Sequence, residues 1–168
     1  EKEKMLSLDE GYGIQLATNS ISVLNKIEFR NIENNDIFNP QKLNFYSINN
    51  KISDLNLDRF NNNSVKYTTL QRSTLVEFLK DKLFTNNFRF GKEVKKVLKM
   101  KDKLLINFTD NTSDLVDFII VSDGVFSNTK SRIENRIIKP QYNGSVAIRS
   151  VFKFSEEFSF ESKSISLL

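Results

Sequence analysis

Cysteine and histidine are absent from the 168 residues, and glycine and proline are scarce, at five and two. Without Cys or His there is no Ser-His-Asp triad, no thiolate nucleophile, no disulfide and no zinc site of the usual ligands. No metal is expected. The missing cysteine leaves the redox compartment open. Long apolar runs are missing too. The longest is the four residues Phe118 to Val121, far short of the ~20 that span a bilayer. No secretory signal is visible. Lys and Arg outnumber Asp and Glu by 25 to 21, giving a net charge of +4. An excess so mild, spread along the chain, argues weakly for nucleic acid, and none is expected as a partner.

What is present suits a soluble globular domain or part of one: 39% hydrophobic and 27% charged residues. The chain opens Glu1-Lys2-Glu3-Lys4 without an initiator Met and stops after Leu167-Leu168 in an apolar stretch. Both ends therefore read as cuts within a longer protein. Twenty Asn residues are scattered throughout, and the pairs and triplets Asn34-Asn35, Asn49-Asn50, Asn61-Asn62-Asn63 and Asn86-Asn87 mark turns.

The apolar spacing predicts a helix over Asn19 to Glu28, capped by Asn19, with Leu16, Ile21, Leu24 and Ile27 near one face. A hairpin follows. Leu43 and Phe45 alternate with polar neighbours, Asn49-Asn50 turns, and Ile52 to Leu57 returns. Leu75, Leu79 and Leu83 recur at a spacing of four in a second helix starting near Arg72. A β meander comes next: Val94 to Met100, a Lys101-Asp102 turn, then Leu104, Ile106 and Phe108 alternating on a second strand. An Asp110-Asn111 turn leads to a third strand, Leu115 to Val121. The end of that strand is apolar on both faces, as in a sheet covered on both sides. Ser122-Asp123-Gly124 and a short helix, Ser127 to Ile133, follow. Val146, Ile148, Phe152 and Phe154 share one face of a late strand. The mixture is α/β or α+β with more than one sheet.

Three stretches could carry chemistry. In the first, a buried strand ends at Ser122-Asp123-Gly124 ahead of a helix. Ligands of open α/β sheets bind beyond the carboxyl ends of strands, and a helix N-terminus favours anions such as a pyrophosphate. Gly124 permits positive φ or close backbone approach. Asp123 would repel a phosphate directly; a ribose hydroxyl, a backbone N–H or a bridging water suits it. An ordinary strand–turn–helix fits the same residues. In the second, Gly11 and Gly13 precede a helix, where bare backbone can lie against a flat ligand or simply enter the helix. In the third, Arg72 occupies the first turn of its helix, where the dipole prefers anions. It either reaches an external phosphate or carboxylate, or lies solvated beside Glu77 or Asp81.

Together these stretches resemble the FAD-dependent aromatic hydroxylases of the p-hydroxybenzoate hydroxylase fold, with the ubiquinone-biosynthesis and salicylate-hydroxylase-like enzymes nearest in feel. Gly13-Ile14-Gln15-Leu16 with Asn19 and Leu24 resembles that family's G-I-x-L-x-x-N-x-x-x-x-L. Arg72, Leu75 and Leu79 resemble R-x-x-L-x-x-x-L. Asp123-Gly124 with Ser127 and Lys130 resembles the A-D-G-x-x-S-x-x-R signature, with Lys for its Arg and Ser122 for its Ala. Tyr142, Gly144 and Arg149 resemble Y-x-G-x-x-x-x-R. The family's N-terminal G-x-G-x-x-G and C-terminal G-D segments have no counterpart here.

The resemblance implies a central fragment, inactive by itself, of a flavin-dependent monooxygenase. NAD(P)H would reduce FAD, and O₂ would then supply the oxygen that hydroxylates a small aromatic ring, with ubiquinone precursors among the candidates. It implies a partial FAD-binding Rossmann-like domain at 1–39 and 67–139, the latter carrying the meander and the D-G motif. An antiparallel substrate domain would be supplied by a hairpin at 40–66 and by 140–168. Arg72, Asp123 and Gly124 would bind FAD phosphates and ribose. Tyr12, Gly13 and Ile14 would line the isoalloxazine, and the Val94 backbone would touch the adenine. Arg149 would face the flavin or the substrate. No side chain is assigned a catalytic role. The implied location is cytoplasmic, peripheral to the inner membrane for a ubiquinone-pathway enzyme.

Prenyl reductases, halogenases and squalene-epoxidase-like enzymes share the fold and remain alternatives. A non-enzymatic basic module is another, resting on Lys92, Lys95, Lys96, Lys99, Lys101 and Lys103, residues that equally suit solvated strand edges.

Overall fold

The computed structural model describes residues 3–5, 11–32, 34–48, 50–83, 88–146 and 163–167. The chain divides into two compact units, Leu8–Phe84 with Ile148–Leu168 and Glu1–Ser7 with Thr85–Ala147.

In the first unit, β1 (Gly13–Leu16), β5 (Thr68–Gln71) and β2 (Ile37–Phe38) form an antiparallel sheet with β5 in the middle. α1 (Thr18–Leu24) follows β1, and α2 (Arg72–Asp81) follows β5 directly. Ile21, Phe29 and Leu70 are the buried centre, and Ile14, Leu16, Leu24, Leu75 and Phe78 pack around them. Phe29 and Phe78 meet edge to face, centroids 5.2 Å apart, a geometry that suits the ring quadrupoles. Leu70 is the sheet's contribution to this core, at 5% exposure. Leu70→Ala should therefore cost about 2–5 kcal/mol, read as a lowered urea midpoint with an unchanged m-value.

α1 is shorter than its apolar spacing predicts, and Asn19 is not its cap. Ala17 holds the N-cap position with extended backbone and no side-chain cap. The Asn19 amide oxygen accepts instead from the adjacent Ser20 N–H at 2.8 Å, a local bond of the kind short polar side chains favour. The α-helix ends at Leu24, tightens into a 3₁₀ turn over Asn25–Ile27, and stops at Glu28, whose φ of 70° is left-handed.

The hairpin forms as expected, from β3 (Lys42–Ser47) and β4 (Asn50–Asn56), with a register shift between Phe45 and Tyr46. β9 (Ser164–Leu167), which the sequence pattern does not announce, pairs parallel with β3 and makes it a central strand. The simple alternation fails at Asn44, which is fully buried beside buried Leu43. The Asn61–Asn63 turn behaves as predicted. Asn62 accepts from the Ser64 and Val65 N–H groups at 2.9 and 2.8 Å, and Asn61 from Tyr67 at 2.7 Å, the amide side chain standing in for a backbone turn.

The second unit is built on the meander β6 (Val94–Met100), β7 (Lys103–Phe108) and β8 (Ser113–Val116), followed by α3 (Asn128–Glu134). Left-handed Lys101 and Asn111 make its two turns. The Asp110 carboxylate takes hydrogen bonds from Lys92 and Thr112. Those bonds, led by that from Lys92, hold its pKa well below the usual carboxylate range.

The third strand departs from expectation. It stops at Val116, and Phe118 to Val121 is not strand; Phe118 and Ile120 are 74% and 80% exposed. A strand exists only through its hydrogen-bond ladder, and one apolar on both faces also needs layers to cover it. Among the described residues neither is supplied. The predicted late strand falls mostly outside the described residues. Of it only Ser145 and Val146 are described; neither is in a strand, and Val146 is exposed. Arg149 also lies outside the described residues.

Candidate functional site

In the first unit the β1–β5 pairing brings the Gly-rich stretch onto Arg72. Gly13 lies opposite Gln71 and Ile14 opposite Leu70. The Arg72 N–H donates to the Tyr12 carbonyl at 3.1 Å. Gly11 has φ +141°, and a Cβ placed there would sit 3.0 Å from the Arg72 Cβ. Only glycine satisfies both the backbone angle and the approach. Tyr12 is exposed; Ile14 turns its side chain into the core, so what it offers a ligand is backbone.

Arg72 is the first residue of α2 and is exposed. The helix has neither a capping side chain nor an acidic residue in its first turn. Among the described residues no hydrogen bond or ion pair engages the Arg72 guanidinium, including from Glu77 or Asp81. An exposed cation and a helix start without a side-chain cap thus coincide, and both favour an anion.

In the second unit Val94 and Asp123 border a common cleft of about 430 Å³, with Glu93, Ile120, Ser127 and Thr129 also on its walls. Asp123 and Gly124 lie in the loop between β8 and α3, as the sequence predicts, and Gly124 has φ +85°. Ser127 caps α3, its hydroxyl accepting from the Lys130 N–H at 3.2 Å. Asp123 also faces this helix end. Burial pushes its carboxyl up. Hydrogen bonds from the Ser127 and Thr129 hydroxyls and from the Asp123 and Thr129 N–H groups outweigh that and hold it below the ordinary value of 3.8. The anion nearest the start of α3 is therefore the protein's own carboxylate. A smaller hollow beside Asp123 and Gly124 is bordered by Lys130.

Because those bonds favour the ionised form, the junction is firm above the ordinary carboxylate range. It should loosen as pH falls below 3.8 through the lowered pKa. Faster amide exchange at Thr129 below that range, absent in Asp123→Asn, is the expected reading.

One feature of this cleft was not legible as a motif: Glu93 pairs with Arg132 at 3.1 Å. Nothing in local spacing connects residues 93 and 132. The lysine run is divided. Lys92 pairs with Asp110 and Lys103 with Asp117, while Lys95, Lys96 and Lys99 are exposed along β6, an edge of its sheet. That is the arrangement expected of solvated edges. Among the described residues there is no group of acidic, His or Cys side chains able to hold a metal. No helix among them is long and apolar enough to cross a membrane.

No family model matches the chain, and no curated protein matches it. Solved structures do. One is 2,6-dihydroxypyridine-3-hydroxylase from Arthrobacter nicotinovorans, at TM-score 0.65 and 15% identity over 85% of this chain. Klebsiella pneumoniae HpxO complexed with FAD and uric acid matches at 0.64 and 17% over 80%. A salicylate hydroxylase substrate complex matches at 0.63 and 14% over 79%. The chain spans about a third of the length of each, 34% in all three cases. Its helices and mainly antiparallel sheets thus share part of the α/β fold seen in these flavoprotein hydroxylases.

Proposed function

We propose that this chain is the central part of a longer FAD-dependent monooxygenase that hydroxylates a small electron-rich aromatic ring with NAD(P)H and O₂. The observation that carries the reading is the position of Asp123 and Gly124. Asp123 lines the same cleft as Val94 and Gly124 the smaller hollow beside it, within a fold shared with solved flavoprotein hydroxylases.

Each unit, taken by itself, offers residues suited to part of the cofactor. In one unit, the Arg72 cation at the start of α2, exposed and unengaged among the described residues, suits a phosphate, and the exposed Tyr12–Gly13 backbone suits a flat ring. In the other, Asp123 is already negative and committed to α3, so it suits a ribose hydroxyl and not a phosphate, while the Val94 backbone borders a space suited to adenine. FAD, when bound, supplies electron transfer from NAD(P)H and the activation of O₂. The protein's share is to bind, orient and exclude water, which accords with a chain lacking His and Cys.

Residues 40–66 and 140–168, Arg149 among them, belong in this reading to the substrate-binding part. A ubiquinone precursor is one candidate ring, and it would place the enzyme in the cytoplasm at the inner membrane surface. Oxygen uptake by the purified longer protein tests this, with NADH or NADPH and a panel of phenols. Stimulation by at least one phenol, with a hydroxylated product, is expected. NAD(P)H consumption that no ring stimulates would remove the hydroxylase assignment.

A further inference from the structure

The cleft beside Val94 has two walls from distant parts of the sequence. One is Glu93–Val94, at the start of β6; the other is the Asp123 loop and the first turn of α3. Glu93 is anchored through its carbonyl, which accepts from the Thr109 N–H at 2.9 Å. α3 packs on β6, and its last turn carries Arg132, whose Nη2 reaches the Glu93 carboxylate at 3.1 Å. The Arg132 side chain is 29% exposed and that of Glu93 42%. Arg132 Nη1 is buried without a hydrogen-bond partner among the described residues. The pair therefore uses one amine of the guanidinium and not its bidentate fork.

We propose that Arg132 is a positioning residue for the adenosine half of the bound cofactor. It acts through Glu93: the ion pair ties α3 to the start of β6 and so fixes the spacing between the cleft's two walls. This rests on the FAD reading above. A semi-exposed pair adds little to overall stability, so its main effect falls on the spacing of the two elements that wall the cleft.

The test uses the longer FAD-containing protein, with FAD and ADP affinities measured for the wild type, Arg132→Met, Glu93→Gln, the double variant and Arg132→Lys. Both single variants should weaken FAD and ADP by about fivefold, with apo-protein melting little changed. The double variant should be no worse than either single one. Arg132→Lys should stay within about twofold of wild type, because a single ammonium replaces the one amine in use. Unchanged ADP affinity in both single variants would overturn the proposal. So would an Arg132→Lys variant as weak as Arg132→Met, or affinity lost only in step with melting temperature. A wild-type protein that binds neither FAD nor ADP would overturn the FAD reading itself, a result separable from a wild type that binds and variants that do not differ.

Discussion

Purified alone, the 168-residue chain is expected to be colourless, to take up no stoichiometric FAD and to self-associate. Its Arg72 and Asp123 groups are offered from only part of the flavoprotein hydroxylase fold, about a third by length. Phe118, Ile120, Val125 and Phe126 are all more than 70% exposed, within a span of nine residues. Burying each such side chain is worth roughly 1.5–3 kcal/mol, so the stretch strongly favours any apolar cover, including another copy. Exposed apolar patches of this kind are aggregation sites. Size-exclusion chromatography and flavin-fluorescence titration check both halves of the expectation. A monomer that quenches flavin at one per chain with micromolar affinity would show that the site is built within this chain.

The second large effect is at Arg72. In the longer protein Arg72→Ala should weaken FAD about 10–150-fold, the value of one charge-assisted contact of ~1.5–3 kcal/mol. Its melting temperature should barely move, because among the described residues the guanidinium holds nothing together. The backbone bond from Arg72 N–H to Tyr12 O survives the substitution, so the β1–β5 junction should persist. Loss of stability with FAD affinity unchanged would make Arg72 a structural residue.

Legibility in the sequence followed the range of the interaction that sets each feature. The hairpin, the first two meander strands, α2 beginning at Arg72 and the Asp123-Gly124 loop are governed by local periodicity and turn chemistry, and each lies where the residues predict. Features set by distant partners were not legible. Phe118 to Val121 reads as a buried strand because its composition demands one, yet strand formation needs a neighbour. β9 became a strand only by pairing with β3, more than a hundred residues away. Asn44 is polar in a half-apolar pattern and is fully buried all the same. In the candidate site, the Gly11–Arg72 approach and the Glu93–Arg132 pair join residues 61 and 39 positions apart, and no motif reaches so far. The role of Asp123 was half legible: a backbone N–H was among its expected partners, but its use as the anion for α3 depends on the hydroxyls of Ser127 and Thr129.

FAD titration of the purified longer protein, followed by amide exchange with and without FAD, tests the central claim most directly. One FAD per chain is expected, with slowed exchange at residues 12–14, around Arg72, at Val94 and across 123–124. A protein that binds no FAD, or one that binds it while exchange at these positions is unchanged, would contradict the account.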